Sequence, residues 1–422
     1  MKIEQIKIEE IKENELNPKQ LLPNEESDLI ESITRFGIVD PLILNSAPKR
    51  KNFLIGGHQR LSVLKKMGYT EVPCIFVDIP DLEKEMELVV RLSKNTGSWD
   101  KEKLKELNVD MLLEVGFDND ELSDMWDEIG TTEDNHKAEK AISEAKKTLI
   151  RNGDIFQLGA HRLMCGDSTN LTDVNKLMNG EKALMIYCDP PYNIGLNYGG
   201  GIGTANKYQG TYKDSKEDSD YAEFLRLTIF NALENALENA LENAHIFYWC
   251  DEKYIGMVQE LYRILGLENR RVCMWIKNNQ NPTPQVAFNK VYEPCVYGTR
   301  GKPFLNNNYR AFNEVLNKEV DSGNKLQEDI KDLFNIWLED RDPAKDYDHP
   351  TQKPITLHEK ALKRCSQPGS IVVDLFGGSG STLMACEQMK RKCYTLEMSP
   401  IFCQVIINRW QEYTGEKAIK IN

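Results

Sequence analysis

Two short stretches combine residue types that suit nucleotide chemistry. The first is Asp189-Pro190-Pro191-Tyr192, directly after a continuous apolar run at 183–188. Such a run is the pattern of a parallel strand buried on both faces, and in open parallel sheets ligands bind beyond the carboxyl ends of strands. These residues suit an exocyclic amine of a base, a poor nucleophile because it is conjugated with its ring. The Asp189 carboxylate and the Pro190 carbonyl can both accept its N–H bonds, which frees the nitrogen lone pair. Pro190 and Pro191 stiffen the turn and keep the acceptors preorganised. Tyr192 offers a flat face to a base taken out of its stack. The plainer alternative is a strand-end turn whose aspartate caps a helix.

The second stretch is Asp374-Leu375-Phe376-Gly377-Gly378-Ser379-Gly380-Ser381, between an apolar strand at 371–373 and a helix beginning near Thr382. Its glycines let the backbone approach a ligand, and the helix start offers free N–H groups. Glu397, at the end of the next strand, is placed to bond ribose hydroxyls. A nucleoside cofactor is implied. A dinucleotide is not, because Leu383 stands where that fingerprint needs its third glycine. A third element, Cys165-Gly166-Asp167-Ser168, puts an acid after another strand; it could accept from an adenine amino group or simply cap the helix at 171–178.

The elements that must position these residues read as α/β. After about residue 150, strands are expected at 154–156, 161–165, 183–188, 245–249, 271–276, 371–375 and 393–396, mostly separated by helices. That pattern predicts a mostly parallel sheet with helices on both faces. The 231–244 segment repeats Asn-Ala-Leu-Glu, so Leu233, Leu237 and Leu241 make one broad apolar face of a packing helix. Before residue 150 a small α/β unit comes first, with helices at 27–36 and 57–67 and strands at 41–45, 53–55 and 72–77. Helical segments follow to about 129, then a polar stretch at 131–147 expected as an exposed helix or helical linker. The expected domains are 1–98, an acidic helical connector at 99–150, and 151–422.

Composition bounds the function. The 422 residues hold 40% hydrophobic and 28% charged side chains, which excludes a disordered or fibrous chain. No apolar stretch is long enough for a membrane span. Ten cysteines without a C-x-x-C pair and six histidines without H-E-x-x-H argue against zinc and a disulfide scaffold, so no metal is expected and the cytoplasm is the expected compartment, in association with the nucleoid. The net charge of −13 is unevenly spread. Residues 106–135 carry eleven acids and no Lys or Arg, whereas 269–312 carry Arg270, Arg271, Lys277, Lys290, Arg300, Lys302 and Arg310 against the single acid Glu293. These seven basic residues, with the amides around them, are the expected DNA-binding set, within a recognition region at about 278–345. The acidic segment is expected to pack away from DNA or to cover a basic surface of the following domain.

The combination resembles the β group of DNA amino-methyltransferases, with Asp-Pro-Pro-Tyr ahead of Phe376-Gly377-Gly378-Ser379-Gly380. Gly166-Asp167, the strand carrying Tyr292-Glu293 and Tyr297-Gly298, and His349-Pro350-Thr351-Gln352-Lys353-Pro354 fit the same pattern. The resemblance spans roughly 152–415. It implies a Rossmann-like methyltransferase sheet, S-adenosyl-L-methionine as cofactor, double-stranded DNA as partner and adenine N6 as target, with cytosine N4 the alternative. It assigns Asp189, Pro190, Pro191 and Tyr192 to catalysis. It assigns Asp167, Lys353, Pro354, Asp374, Phe376, Gly377, Gly378, Ser379, Gly380, Ser381 and Glu397 to the cofactor. Cys295 is read as structural, because a cytosine-C5 enzyme would reverse the motif order. The glycine-rich stretch 193–210 is expected to be a lid. A ParB-like regulatory protein with an inactive methylase half is a further alternative.

The first hundred residues resemble the ParB/sulfiredoxin fold through Gly37 to Leu44, Ile55-Gly56-Gly57-His58-Gln59-Arg60 and Val72-Pro73. The sulfiredoxin cysteine is absent. The resemblance implies CTP or another nucleotide at Gly57, Arg60 and Asn95. A homodimer is compatible with the same pattern.

Overall fold

The structure is a computed structural model that describes residues 2–14, 19–20, 23–93, 98–127, 130–134, 138–195, 214–239, 243–277, 290–306, 335–338 and 353–422. The chain divides into two compact units, Met1–Met125 and Trp126–Asn422. The division falls inside the expected 99–150 connector rather than at either end of it.

The first unit holds a four-stranded sheet in the order Glu4–Lys7, Glu71–Val77, Leu42–Asn45, Leu54–Gly56. Helices Pro23–Phe36, His58–Lys66 and Leu82–Ser93 accompany it. Leu42, Leu44, Leu54, Leu61, Val63, Leu64 and Val72 form its core. Short helices Lys101–Lys105, Val109–Val115 and Asn119–Asp127 follow. Asp100 and Asn108 cap the first two of these through their side chains, so the polar residues that punctuate the acidic stretch also break it into pieces.

The second unit is built on one ten-stranded sheet. Its order is Ile336–Leu338, Glu268–Ile276, Tyr292–Arg300, Ala244–Trp249, Met185–Cys188, Ile371–Asp374, Lys392–Glu397, His161–Cys165, Ile155–Leu158, Ile419–Lys420. The five strands from Ala244–Trp249 to His161–Cys165 run parallel. Every residue of Met185–Cys188, Ala244–Trp249 and Ile371–Asp374 is buried. Their side chains alternate between two cores. Met185, Tyr187, Phe247, Trp249 and Val372 meet helices Ile355–Cys365, Ser381–Gln388 and Pro400–Thr414 on one face. Ile186, Cys188, Ile246, Tyr248 and Val373 meet helices Leu171–Met178, Asp218–Asn239 and Ile255–Ile264 on the other. Burial on both faces is why these strands read as unbroken apolar runs.

The hairpin expected at 154–165 is present, with Gly159 at φ +54° in its turn. Leu233 of the repeat is buried on the sheet within helix Asp218–Asn239. Short strands that were not expected include Ile419–Lys420 and Ile336–Leu338 here and Glu4–Lys7 in the first unit. The stretch 131–147 departs from its reading. Among its described residues Ala138–Ala145 is helical and 131–134 is not, and Ile142 and Ala145 are buried against Val405, so this helix is a packed element rather than an exposed one. All ten cysteines are buried and unpaired, Cys295 among them. No helix among the described residues is long and apolar enough to cross a membrane.

Candidate active site

Four acids stand at or just beyond the carboxyl ends of four adjacent parallel strands. Asp189 follows Met185–Cys188, Asp374 ends Ile371–Asp374, Glu397 ends Lys392–Glu397, and Asp167 follows His161–Cys165. At about 4.8 Å per strand this row spans about 14 Å. Chain order reverses between the Met185 and Ile371 strands. The two motifs therefore meet at the topological switch point, where ligands of open sheets bind.

The Asp-Pro-Pro-Tyr turn is held from several sides. Tyr221 Oη donates to the Pro191 carbonyl at 2.7 Å, and Asp214 accepts from Asn193 N at 2.7 Å and Ile194 N at 3.2 Å. Asp214 thereby closes the neck of the expected lid; residues 196–210 of that lid lie outside the described residues. Tyr192 Oη donates to Asp189 Oδ1 at 2.8 Å and lies 3.3 Å from Glu293 Oε2. Its residue is 8% exposed, so the face expected to meet a base is folded inward here.

Lys353 sits at the centre of this cluster. Its Nζ is 2.5 Å from Asp189 Oδ2, 2.9 Å from Tyr192 Oη, 3.5 Å from Glu293 Oε2 and 4.7 Å from the centre of the Trp249 ring. Lys277 pairs with the other oxygen of Glu293. Two carboxylates and two ammonium groups thus balance in a buried space. Burial disfavours the Lys353 ammonium, but Asp189 and Glu293 outweigh it and hold its pKa above the ordinary value. Burial likewise opposes ionisation of Glu293, yet Lys353 and Lys277 bring its pKa down to about 2. Burial prevails at Asp189 and raises its pKa against the pull of Lys353.

Lys353 was expected at the cofactor; here its ammonium meets the Asp189–Tyr192 turn, and Pro354 stands at the N-cap of helix Ile355–Cys365. Glu293 was not expected in the site. Its signal was there: it is the lone acid among seven basic residues at 269–312.

The glycine loop is pinned by its own neighbours. Asp374 Oδ1 accepts from Phe376 N at 3.0 Å, and burial pushes the Asp374 carboxyl up to about 7. Gly377 N donates to the Leu396 carbonyl at 2.9 Å, and Gly378 N to Glu397 Oε2 at 2.9 Å. Burial raises the Glu397 pKa, although backbone N–H groups of Ser399, Gly378 and Met398 favour its charged form. A Cβ at Gly377 would stand 2.7 Å from Thr395 Oγ1. At Gly378 (φ +51°) a Cβ would find nothing nearer than the Phe376 carbonyl at 3.9 Å, so space opens over the loop. Ser379 gives its carbonyl to Arg409 Nη1 at 3.0 Å, and Gly380 (φ +85°) caps the helix that Ser381 begins. His358 bridges the motifs from below: Nδ1 is 3.1 Å from Tyr187 Oη and Nε2 2.9 Å from Ser381 Oγ. Burial lowers its pKa to about 3, so it is neutral. Asp167 Oδ1 accepts from Thr169 N at 2.8 Å and Thr169 Oγ1 at 2.7 Å, which fixes it at the far end of the acid row.

The basic window does not form one face. Arg300 pairs with Ala244, so Arg300 and the following Lys302 lie toward the amino ends of the parallel strands, whereas Arg271 pairs with Tyr297, level with Phe247 in the middle of its strand. Arg300 is five residues along its strand from Cys295, which opposes Trp249 at the carboxyl end, a separation of about 17 Å. Lys277 and Lys290 lie at the site end, paired with Glu293 and Asp251. Arg310 and most of 278–345 lie outside the described residues, as do 349–352. In the first unit, Gly57 (φ +93°) caps helix His58–Lys66, and Arg60 pairs with Asp40. Asn95 lies outside the described residues.

A family model described as DNA methylase matches residues 183–408, and a model described as ParB N-terminal domain matches residues 1–96. The chain is 24% identical over 273 residues to the type II methyltransferase M.HpaI of Haemophilus parainfluenzae, covering 61% of this chain and 77% of that protein. It is 22% identical over 312 residues to the type II methyltransferase M.EcaI of Enterobacter cloacae, covering 58% and 68%. Among solved structures, the M1.HpyAVI-SAM complex aligns at 19% identity over 58% of this chain and 98% of that one, with a TM-score of 0.38. The chain belongs to the DNA methylases that modify N6 or N4 amino groups, and it carries a ParB N-terminal domain ahead of its methylase part.

Proposed function

We propose that this methylase acts on adenine N6 in double-stranded DNA, with S-adenosyl-L-methionine as methyl donor. The observation that carries the reading is the pairing, at the switch point, of an acid-headed Asp189-Pro190-Pro191-Tyr192 turn with the glycine loop. An aspartate at this position serves either amine, whereas a serine in its place would have favoured cytosine; cytosine N4 is therefore the runner-up. The loop suits a nucleoside cofactor: open space over Gly378, the Thr395 hydroxyl buried without a partner beneath Gly377, and carboxylates along the row. Phe376 to Ser381, with Asp374, would hold the methionine part, Glu397 the ribose and Asp167 the adenine ring. When bound, the cofactor supplies an electrophilic methyl group.

The chain's residues prepare the amine. A flipped base brings its amino group to Asp189 Oδ1, taking the position that the Tyr192 hydroxyl occupies here. Tyr192 then swings toward the base and gives its ring for stacking. Asp189 accepts one N–H and the Pro190 carbonyl another, and Asp189 receives the proton released as the amine is alkylated. Lys353 on Oδ2 keeps Asp189 ionised until then. The DNA approaches from the carboxyl ends of the strands, where Lys277 and Lys290 lie.

Methylation-sensitive sequencing of host DNA after expression, with and without Asp189→Ala, tests this. N6-methyladenine that disappears in the variant is the expected result. N4-methylcytosine would move the target to cytosine, and no modified base in either strain would overturn the activity.

A further inference from the structure

Residues 130–134 cross the helices on one face of the methylase sheet as a polar strap. Thr131 N and Oγ1 donate to Glu359 Oε2 at 2.5 and 2.8 Å. Thr132 exchanges bonds with the Gln388 amide at 2.8 and 3.0 Å. Glu133 Oε1 accepts from Thr356 N at 2.9 Å and Thr356 Oγ1 at 3.1 Å. Asp134 accepts twice from Arg409, at 2.6 Å from Nε and 2.7 Å from Nη2. The strap therefore touches all three helices on this face.

One of these contacts leads directly into the site. Arg409 Nη1 carries on to the Ser379 carbonyl in the glycine loop, and the Arg409 side chain is 3% exposed. A guanidinium presents its donors in a rigid plane. Asp134 grips one edge of that plane and so fixes where Nη1 points. The loop needs such a fix, because Gly378 and Gly380 both have positive φ and restrain it little themselves. Asp134 and Arg409 both fall outside the residues matched by the methylase family model.

We infer that Asp134 is a positioning residue for the cofactor loop, acting through Arg409 on the Ser379 carbonyl. The inference rests on the reading of the glycine loop as the cofactor site. It makes the segment ahead of the methylase domain a working part of that domain. Once Asp134 is neutralised, Arg409 is free to turn, and the loop must be ordered at the expense of cofactor binding.

The test is calorimetric titration of the full chain with S-adenosylhomocysteine, comparing Asp134→Asn, Asp134→Glu and Asp127→Asn. Asp127 makes another buried pair, with Arg391 at 2.8 Å, and also accepts from Asn306 Nδ2 at 3.3 Å; neither partner belongs to the loop. Asp134→Asn should bind about tenfold more weakly, the size of one charge-assisted hydrogen bond. Asp134→Glu should recover most of the affinity. Asp127→Asn should lower the melting temperature and leave affinity unchanged. Amide exchange at Gly378 to Ser381 should quicken in Asp134→Asn alone. Equal affinity in Asp134→Asn, or equal weakening in Asp127→Asn, would overturn the inference and leave the cofactor reading standing. No binding by the unmutated chain would overturn both.

Discussion

Replacing Lys353 by methionine tests the site most directly. Methionine keeps much of the apolar stem beside Trp249 and removes only the ammonium. What remains is two carboxylates, Asp189 and Glu293, on either side of the Tyr192 hydroxyl at 2.8 and 3.3 Å. Unit charges about 5 Å apart interact by about 3.3 kcal/mol at an effective dielectric of about 20. Water entry and side-chain relaxation return part of this, leaving about 1.5–3 kcal/mol, or roughly 10- to 150-fold in kcat/KM at neutral pH. The sign with pH follows from the site. Burial already raises the Asp189 pKa, and Lys353 is the main group opposing that rise. Without Lys353 the carboxyl moves further up, so the acid limb of the pH profile shifts to higher pH and the deficit is larger at pH 6 than at pH 9. The assay is transfer of labelled methyl to duplex DNA across this range, at saturating cofactor, beside calorimetric titration with S-adenosylhomocysteine. Cofactor affinity should be unchanged. An unmoved profile with kcat/KM within about twofold of the unmutated chain would refute the reasoning. Lost cofactor affinity with normal turnover would return Lys353 to the cofactor role that the sequence suggested.

Three further outcomes are expected. Removing residues 1–125 should leave a folded methylase unit, whereas removing 1–134 strips Asp127 and Asp134 from the buried Arg391 and Arg409; at about 3–5 kcal/mol per broken pair, melting should fall by about 10 °C or more, and equal melting of the two truncations would contradict this. Asp374 keeps its proton to about 7 in the fold but ionises near 3.8 when unfolded, so it opposes folding increasingly between these values and fully above 7. Asp374→Asn should therefore stabilise the chain at pH 8 and barely at pH 4, as thermal melts at both pH values will show. Arg300→Glu, at the amino ends of the parallel strands, should change duplex affinity by less than about twofold and leave its salt dependence intact; a flattened salt slope would bring DNA to that end after all.

The chemistry was legible in the sequence because it rests on local patterns. The apolar run ending at Cys188 marks a doubly covered strand, and Asp189 to Tyr192 can only be its carboxyl-end turn. The glycine loop, Glu397 and Asp167 follow the same logic, each one strand end further along the sheet. The basic window is divided because a hairpin reverses direction: Lys277 and Lys290 stand at one end of the antiparallel strands Glu268–Ile276 and Tyr292–Arg300, Arg300 and Lys302 at the other, and composition does not record that turn.

By itself, then, the sequence determined the strand ends, the two motifs and the family they mark, since each needs only a few adjacent residues of the right type. The tertiary structure decided which distant groups share the charge balance at Asp189. Lys353, 164 residues away in the chain, meets Asp189 directly, and Glu293, 104 residues away, joins through Lys353 and Tyr192. The structure also decided what Asp127 and Asp134 do: they cover basic groups, as the charge pattern allowed, but those groups are Arg391, just ahead of strand Lys392–Glu397, and Arg409, in helix Pro400–Thr414. Burial makes such pairs selective, because a charge out of water must find a partner wherever the fold places one.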